Sequence, residues 1–206
     1  PNRCCSSIMA IPKFLYLTLS SKRAWVPISI FNSPFSNCSC IGFLADFFTE
    51  HVLGGGELNN EEVIKLFHEE GYEVFKIQSH LVDLDFLREN NSCFFIVSNF
   101  INLSHKCRAK LRQMEYIIYE HDHKYLKSRN PATYKDFTAP AKDVINFHFY
   151  KNAKAVLCQS GFHKEIIEKN LNISNIVNLG GNLWSLKTLQ FIRELSKNNK
   201  RDKCSI

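Results

Sequence analysis

Apolar and polar positions alternate along the middle of the chain in blocks that predict strands and helices in turn. An apolar run of strand length at residues 41–46 leads through residues 47–53 into consecutive glycines, and a segment with helical spacing follows. One face of that segment carries Leu58, Val63, Leu66 and Phe67, and the other carries Asn59, Asn60, Glu61, Glu62 and Lys65. The pattern predicts a strand, a glycine loop and a helix, which open a doubly wound sheet.

The same alternation continues to about residue 177. Gly71 is placed to end the first helix, and further strands are predicted at residues 74–77, 92–98, 116–119, 153–159 and 176–177. Ser104 and Ser160 are placed to cap two of the later helices, which are predicted at residues 83–89, 104–113, 143–152 and 161–170. Strands and helices that alternate at these lengths predict an α/β fold with a Rossmann-like, doubly wound, mostly parallel sheet.

Composition fits one folded domain without a membrane span. The chain has 206 residues, of which 45% are hydrophobic and 17 are phenylalanine, enough for a real core. No uninterrupted apolar run reaches the roughly 18 residues that cross a bilayer. The eight cysteines are scattered without regular spacing, which favours reduced thiols in the cytoplasm over a disulfide framework. Cys93 and Cys158 lie in apolar runs and are interpreted as small core residues.

Charge narrows the class of partner. The net charge is +6, and the basic clusters at residues 106–112 and 197–203 lack the interleaved aromatic residues on which bases stack. Nucleic acid is therefore not an expected partner. Solvated helix surface explains the first cluster most simply, while a basic face also suits peripheral contact with anionic lipid or with a phosphorylated substrate.

The first forty residues do not fit the strand–helix alternation. Cys4, Cys5, Cys38 and Cys40 offer four thiolates to zinc, although neither pair has the usual Cys-x-x-Cys spacing. The chain begins at Pro1, and we expect it to be a fragment or a processed product. Residues 1–40 are treated as an uninterpreted segment.

The glycine loop is the first candidate for chemistry. Gly54, Gly55 and Gly56 allow a ligand to approach the backbone closely, and free amides at a helix start attract a phosphate or an oxyanion. The loop matches neither the G-x-G-x-x-G fingerprint nor the P-loop, and a simple tight turn is the alternative. Glu57 is suited either to binding hydroxyl groups or to complementing the helix dipole.

The second candidate lies after the predicted strand at residues 116–119. His121, Asp122 and His123 open the longest insertion between elements, which also contains Arg129. His121 falls at the carboxyl end of a strand, where open α/β sheets bind ligands. Three interpretations stay open: ligand contact by His121, a histidine that only stabilises the loop, and a zinc site formed with Asp122 and His123.

The order of these motifs resembles the glycosyltransferase family 4-like N-terminal domain, the first half of a GT-B fold, over roughly residues 41–184. Four segments carry the resemblance. They are the Gly-Gly-x-Glu loop at residues 54–57, the Gly-Tyr-Glu-Val turn at residues 71–74, the His121-Asp122 pair, and the strand from Ala153 to Ser160 with its following helix.

The resemblance implies the acceptor-side domain of a retaining, hexosyltransferase-like enzyme. It would move a sugar from a nucleotide-sugar donor to a sugar or lipid-linked acceptor, with no metal or other cofactor. His121 and Asp122 are then the catalytic candidates: His121 contacts a sugar hydroxyl, and Asp122 fixes its tautomer or binds an acceptor hydroxyl. The candidate substrate-binding residues are Gly54, Gly55, Gly56, Glu57 and Arg129. Arg129 is suited to pair with an acceptor phosphate through its guanidinium, and a plain surface arginine is the alternative.

One difference from the family leads to alternative hypotheses about the function. The family's second domain, which supplies most of the donor site, has no counterpart here. Residues 180–184 resemble the start of the interdomain connection, and residues 185–206 read as a basic tail or a truncated part of that connection. The alternative is a non-catalytic remnant or a standalone ligand-binding α/β domain. A nucleotide-binding protein of another family would need a phosphate fingerprint, which the sequence lacks.

Overall fold

The computed structural model describes residues 40–198, together with the backbone of two short antiparallel strands, Tyr16–Leu17 and Ala24–Trp25. The rest of the N-terminal segment and the tail from residue 199 lie outside the described residues. The zinc hypothesis at Cys4, Cys5 and Cys38 therefore falls outside the described residues as well.

The described residues form an α/β fold around one parallel sheet of six strands. The strands lie in the order β2-β1-β3-β4-β5-β6, and all neighbouring pairs run parallel. Their bounds are β1 Cys40–Ala45, β2 Glu73–Gln78, β3 Phe94–Val97, β4 Tyr116–Tyr119, β5 Val156–Cys158 and β6 Ile176–Asn178. The sequence predicted each of these strands, and the doubly wound, Rossmann-like sheet is confirmed.

Helices connect the strands, and a further helix follows the last strand. Each predicted helix is present. The side chains of Ser104 and Ser160 accept hydrogen bonds from backbone amides in the first turns of α3 and α5, so the two predicted caps are confirmed. The bounds are α1 Gly55–Glu69, α2 Leu84–Glu89, α3 His105–Leu111, α4 Phe147–Asn152, α5 Gly161–Leu171 and α6 Leu186–Asn198. Among the described residues, no helix combines the length and the hydropathy that a membrane crossing requires.

The core lies on both faces of the sheet. Side chains that alternate along each strand point to opposite faces. One face packs Leu44, Val97 and Ile118 with buried residues of α2, α3, α4 and α5, and the other packs Phe43 and Ile96 beneath α1. Because α1 covers one face and the following helices cover the other, the connections leave neighbouring strands β1 and β3 in opposite directions.

The first turns of α1 contradict the predicted helix face. Leu58 is 43% exposed, whereas Asn59 and Asn60 are 3% and 2% exposed. The two amides are buried because each finds hydrogen-bond partners inside the domain, which removes the usual cost of enclosing a polar group. Hydrophobic spacing alone placed them on the solvent side, and that prediction was wrong.

The cysteine prediction also needs correction. Cys40, at the start of β1, forms a disulfide with Cys93, directly before β3. The two strands are neighbours in register, with Ile41 opposite Phe94, so the preceding cysteines face each other. The prediction that Cys93 is a reduced core thiol is therefore wrong. Cys107 and Cys158 are buried free thiols, which agrees with the prediction for Cys158.

Helix α6 stands apart from the sheet. Its large apolar side chains are mostly exposed, with Leu186 at 70% and Phe191 at 60%. Ile192 and Leu195 are exposed beside them, and basic residues are interspersed along the same helix. Residues Leu186–Asn198 are helical, where the sequence predicted only a tail or part of a connection.

Candidate functional site

The strand order defines a ligand-binding edge. In an open α/β sheet, a crevice forms at the carboxyl ends of neighbouring strands whose connections leave toward opposite faces. Here that position lies between β1 and β3. Asp46 follows β1 and accepts hydrogen bonds from the backbone amides of Ile101 and Asn102, both at 3.0 Å, and from the hydroxyl of Ser79. Asp46 thereby ties together the loops that follow β1, β2 and β3.

The glycine loop lies at this edge and begins α1. Gly54 is the N-cap residue, and its carbonyl accepts the first helical hydrogen bond from the amide of Leu58 at 3.0 Å. The amides of the intervening residues precede that first bond, as an anion site at a helix start requires. The Glu57 carboxylate folds back against Gly54. A Cβ atom built on Gly56 would lie 3.7 Å from the His121 ring.

His121 occupies the end of β4 and is held on both ring nitrogens. Nε2 lies 2.9 Å from Oδ1 of Asn60 on α1, and Nδ1 lies 3.1 Å from Nε2 of Gln159, directly after β5. The ring also packs edge-on against Tyr119, with centroids 4.6 Å apart. Burial, with Lys124 nearby, lowers the pKa of His121 to about 4, so the imidazole is neutral near pH 7.

The two asparagines of α1 link that helix to three other segments. Asn60 Oδ1 also accepts from the Ser98 hydroxyl at 2.8 Å. Asn59 Oδ1 accepts from the Tyr119 hydroxyl, and its Nδ2 donates to the carbonyl of Leu183 at 2.9 Å. The first turns of α1 are therefore connected to the ends of β3 and β4 and to the segment before α6.

Asp122 does not orient His121, contrary to the role that the resemblance implied. Its carboxylate pairs with Lys124 at 2.6 Å and with Arg129 at 3.2 Å. Burial alone would raise the pKa of Asp122, but the attraction of Lys124 and Arg129 outweighs burial and holds that pKa below its usual range. Arg129 is half exposed and already engaged with a carboxylate, so an acceptor phosphate would have to share its guanidinium with Asp122.

A buried polar cluster lies behind the loop. Lys124 donates to Glu120 Oε1 at 2.7 Å, and the Tyr150 hydroxyl donates to Glu120 Oε2. Burial raises the pKa of Glu120 against the opposing attraction of Lys124. Burial alone would lower the pKa of Lys124, but the carboxylates of Glu120 and Asp122 outweigh it and raise that pKa.

Two further histidines lie next to His121. The rings of His123 and His163 pack with centroids 4.6 Å apart, and burial lowers the pKa of each to about 4. The zinc hypothesis for His121, Asp122 and His123 finds no matching geometry: within residues 40–198, no group of three or more His, Cys, Asp or Glu side chains is placed to hold a metal ion.

The structure thus brings the two sequence candidates together. Gly56 of the loop lies beside the ring of His121, since a Cβ atom built on it would be 3.7 Å from that ring. Asp122 and Arg129 form a separate ion pair. Sequence reasoning missed the residues that hold His121 and surround it, namely Asn59, Asn60, Ser98, Gln159 and His163. Adjacent asparagines in the second turn of a helix carry no motif, and only the parallel register of β4 and β5 brings Gln159 beside His121.

Comparison with known proteins adds no family to this geometry. No protein-family model matches the chain, and a search of curated proteins finds no match.

Proposed function

We propose that this chain is the acceptor-side, N-terminal domain of a retaining glycosyltransferase of the GT-B type, which transfers a sugar from a nucleotide-sugar donor. One observation carries the proposal: His121, at the carboxyl end of β4, faces the glycine loop that begins α1. Both features lie at the edge where a sheet of this strand order binds ligands. The order of motifs in the sequence supports the same assignment.

The chemistry available at this edge is binding and electrostatic stabilisation. The amides at the start of α1 offer donors to a diphosphate or an acceptor oxygen, and Arg129 adds a partly exposed cation. The neutral ring of His121 offers a hydrogen bond to a sugar hydroxyl that replaces Asn60 as the partner of Nε2. In the proposed reaction, cationic groups and helix ends stabilise the charge that develops on the leaving diphosphate. Most of the donor site would come from a second domain.

Helix α6 supports an assignment to an interdomain position. Its apolar side chains are exposed, as they are in a segment that another domain covers. Lys187, Arg193 and Lys197 also give the helix a basic character that suits peripheral contact with anionic lipid, as a lipid-linked acceptor would require.

A second candidate is a ligand-binding α/β domain without catalytic function. The observation that favours it is that both ring nitrogens of His121 already have partners within the domain. Such a histidine stabilises the contact between α1 and β5 whether or not a ligand is bound.

The two candidates are separated by transfer activity. The gene is expressed in full, and release of the nucleoside diphosphate is measured over a panel of nucleotide sugars with sugar and lipid-linked acceptors. Turnover with one donor class supports the proposal, especially if it falls when Gly56 is replaced by Val and is retained when the exposed His80 is replaced by Ala. Binding of a sugar without turnover for any donor would favour the second candidate.

A further inference from the structure

The side-chain amide of Gln159 lies between two histidines and a backbone carbonyl. Nε2 donates to the carbonyl oxygen of Glu120 at 2.6 Å and lies 3.1 Å from Nδ1 of His121. Oε1 lies 3.2 Å from Nδ1 of His163. A carbonyl oxygen only accepts hydrogen bonds, so the atom that faces Glu120 must be the NH₂ group. The orientation of the Gln159 amide is therefore fixed by the backbone.

That orientation decides where His121 carries its proton. The second N–H of the Gln159 amide points at Nδ1 of His121, which must accept and is therefore unprotonated. The proton of the neutral ring then lies on Nε2 and is donated to Oδ1 of Asn60. The opposite tautomer and the imidazolium would both place an N–H against the N–H of Gln159.

The same amide decides the tautomer of His163. Oε1 of Gln159 accepts, so Nδ1 of His163 carries the proton and Nε2 carries the lone pair. That Nε2 atom is buried and has no hydrogen-bond partner among the described residues. His121 and His163 are thus held in opposite tautomers by one glutamine.

We propose that Gln159 is a positioning residue that fixes His121 as the neutral Nε2–H tautomer, so that His121 gives its hydrogen bond to a ligand oxygen that replaces Asn60 Oδ1 as the acceptor, and takes no proton in the reaction. The inference deepens the proposed function. Only the statement about proton transfer in a reaction rests on that function. The lowered pKa of His121 agrees with it. The charged or titratable groups around the ring are Tyr119, which packs against it, and Lys124, Asp122 and His163. In the structure without ligand, Asn60 Oδ1 accepts the hydrogen bond of this Nε2–H group.

The tautomers can be observed directly in the chain without any variant. Two-bond ¹H–¹⁵N correlation spectra of the ¹⁵N-histidine-labelled protein distinguish the two neutral tautomers and the imidazolium. Near neutral pH, His121 is expected as Nε2–H and His163 as Nδ1–H. An Nδ1–H form of His121, or two tautomers in comparable amounts, would overturn the proposal.

Gln159→Glu gives the variant test, because both carboxylate oxygens accept and His121 must then present Nδ1–H. The pKa of His121 is expected to rise by roughly 1–3 units beside the new carboxylate. In the product of the full gene, transfer at about pH 8 should fall on the order of tenfold or more. It should recover as the pH is lowered, because protonation restores the Nε2–H group. Gln113→Glu, an exposed change of the same charge outside the site and outside α6, is the control and keeps the wild-type profile.

Failure of the two proposals is distinguishable. If the tautomers are as expected but Gln159→Glu transfers sugar at the wild-type rate across the pH range, the positioning role is overturned while the hydrogen-bond geometry stands. If the wild-type product of the full gene transfers no sugar from any donor, the proposed function is contradicted, and the spectra alone then decide the tautomers.

Discussion

The carboxylate of Glu120 and the ammonium of Lys124 lie 2.7 Å apart, and neither side chain is exposed to solvent. A buried ion pair is costly to form and more costly to break, because the remaining partner keeps a charge that water no longer solvates. Here the pair has further support from the Tyr150 hydroxyl and from Asp122. It therefore fixes the loop after β4 against the body of the domain.

Lys124→Met should destabilise the chain by about 3–5 kcal/mol, because Glu120 is left buried and unpaired. Glu120→Gln should cost less, since Lys124 keeps its contact with Asp122. The free energy of unfolding is measured by denaturant titration for both variants and for the double variant. We expect the double variant to be more stable than the sum of the single changes predicts. Strict additivity would show that the two groups do not interact.

Acid should weaken the fold through its buried histidines. The pKa values of His121, His123 and His163 are lowered to about 4 from an ordinary value near 6.5, with burial the leading cause for each. Between these values the unfolded chain binds more protons than the folded one, so the free energy of unfolding falls as the pH is lowered from about 6.5 to about 4.

Replacing His163 with Gln should remove part of that dependence. The slope of the free energy of unfolding against pH is expected to decrease by roughly 1 kcal/mol per pH unit near pH 5. His80→Gln removes one exposed imidazole and is the matched control. An unchanged slope in His163→Gln would mean that this ring is protonated equally in the folded and unfolded chain.

The disulfide between Cys40 and Cys93 should contribute measurably to stability. The two residues are separated by 53 positions, and closing a loop of that size in the unfolded chain contributes about 4 kcal/mol in the chain-entropy estimate. Reduction should therefore lower the melting temperature, and Cys93→Ala should abolish the response to reductant. Cys107→Ala, which changes a free buried thiol, should leave the response in place. Peptide mapping without reductant should recover the linked pair.

Gly42 is required by close packing within the sheet. A Cβ atom at this position would lie 2.6 Å from Phe95 and 2.9 Å from Phe75, so the rings would have to move. Gly42→Ala should cost about 1–3 kcal/mol as an overpacked core position. Gly55→Ala is the control, because a Cβ atom there meets nothing within 4 Å. Equal stability of the two variants in thermal melts would contradict the packing.

Local patterns predicted the fold well. Period-two and continuous apolar runs found each strand of the sheet, and the cap residues Ser104 and Ser160 were found from their place before a helical repeat. These features are encoded within a few neighbouring residues. The glycine loop and His121 were also found locally, and the parallel topology was enough to place both at one edge of the sheet.

Contacts between segments that are distant in the chain could not be predicted from the sequence. The disulfide depends on the register of β1 and β3, and Gln159 reaches His121 only because β4 and β5 pair in parallel. Asn59 and Asn60 look like surface residues until their partners are known. Lys124 looks like a loop residue, and only the enclosure of Glu120 by α4 explains its burial. The hydrophobic pattern does not predict the burial of such polar groups, because their burial depends on hydrogen-bond and ion-pair partners from distant parts of the chain.

His121→Ala is the change that most directly tests the candidate site. Removing the ring takes one hydrogen-bond partner from Asn60 and one from Gln159, and it leaves a gap beside Tyr119. The isolated chain should therefore lose about 1–3 kcal/mol of stability, measured by denaturant titration. Under the proposed function, loss of a hydrogen bond that strengthens in the transition state should reduce sugar transfer by roughly 10²–10³-fold.

The loss of stability and the loss of transfer rate can be separated, because they are measured in different experiments. Transfer is followed well below the melting temperature of the variant, so that nearly all molecules are folded. Asn60→Ala is the matched control, since it removes a partner of the ring but keeps the imidazole at the edge of the sheet. It should lose comparable stability and retain much more transfer than His121→Ala. If both variants lose transfer equally, His121 acts only by holding α1 in place, and the glycine loop is then the part of the site that matters.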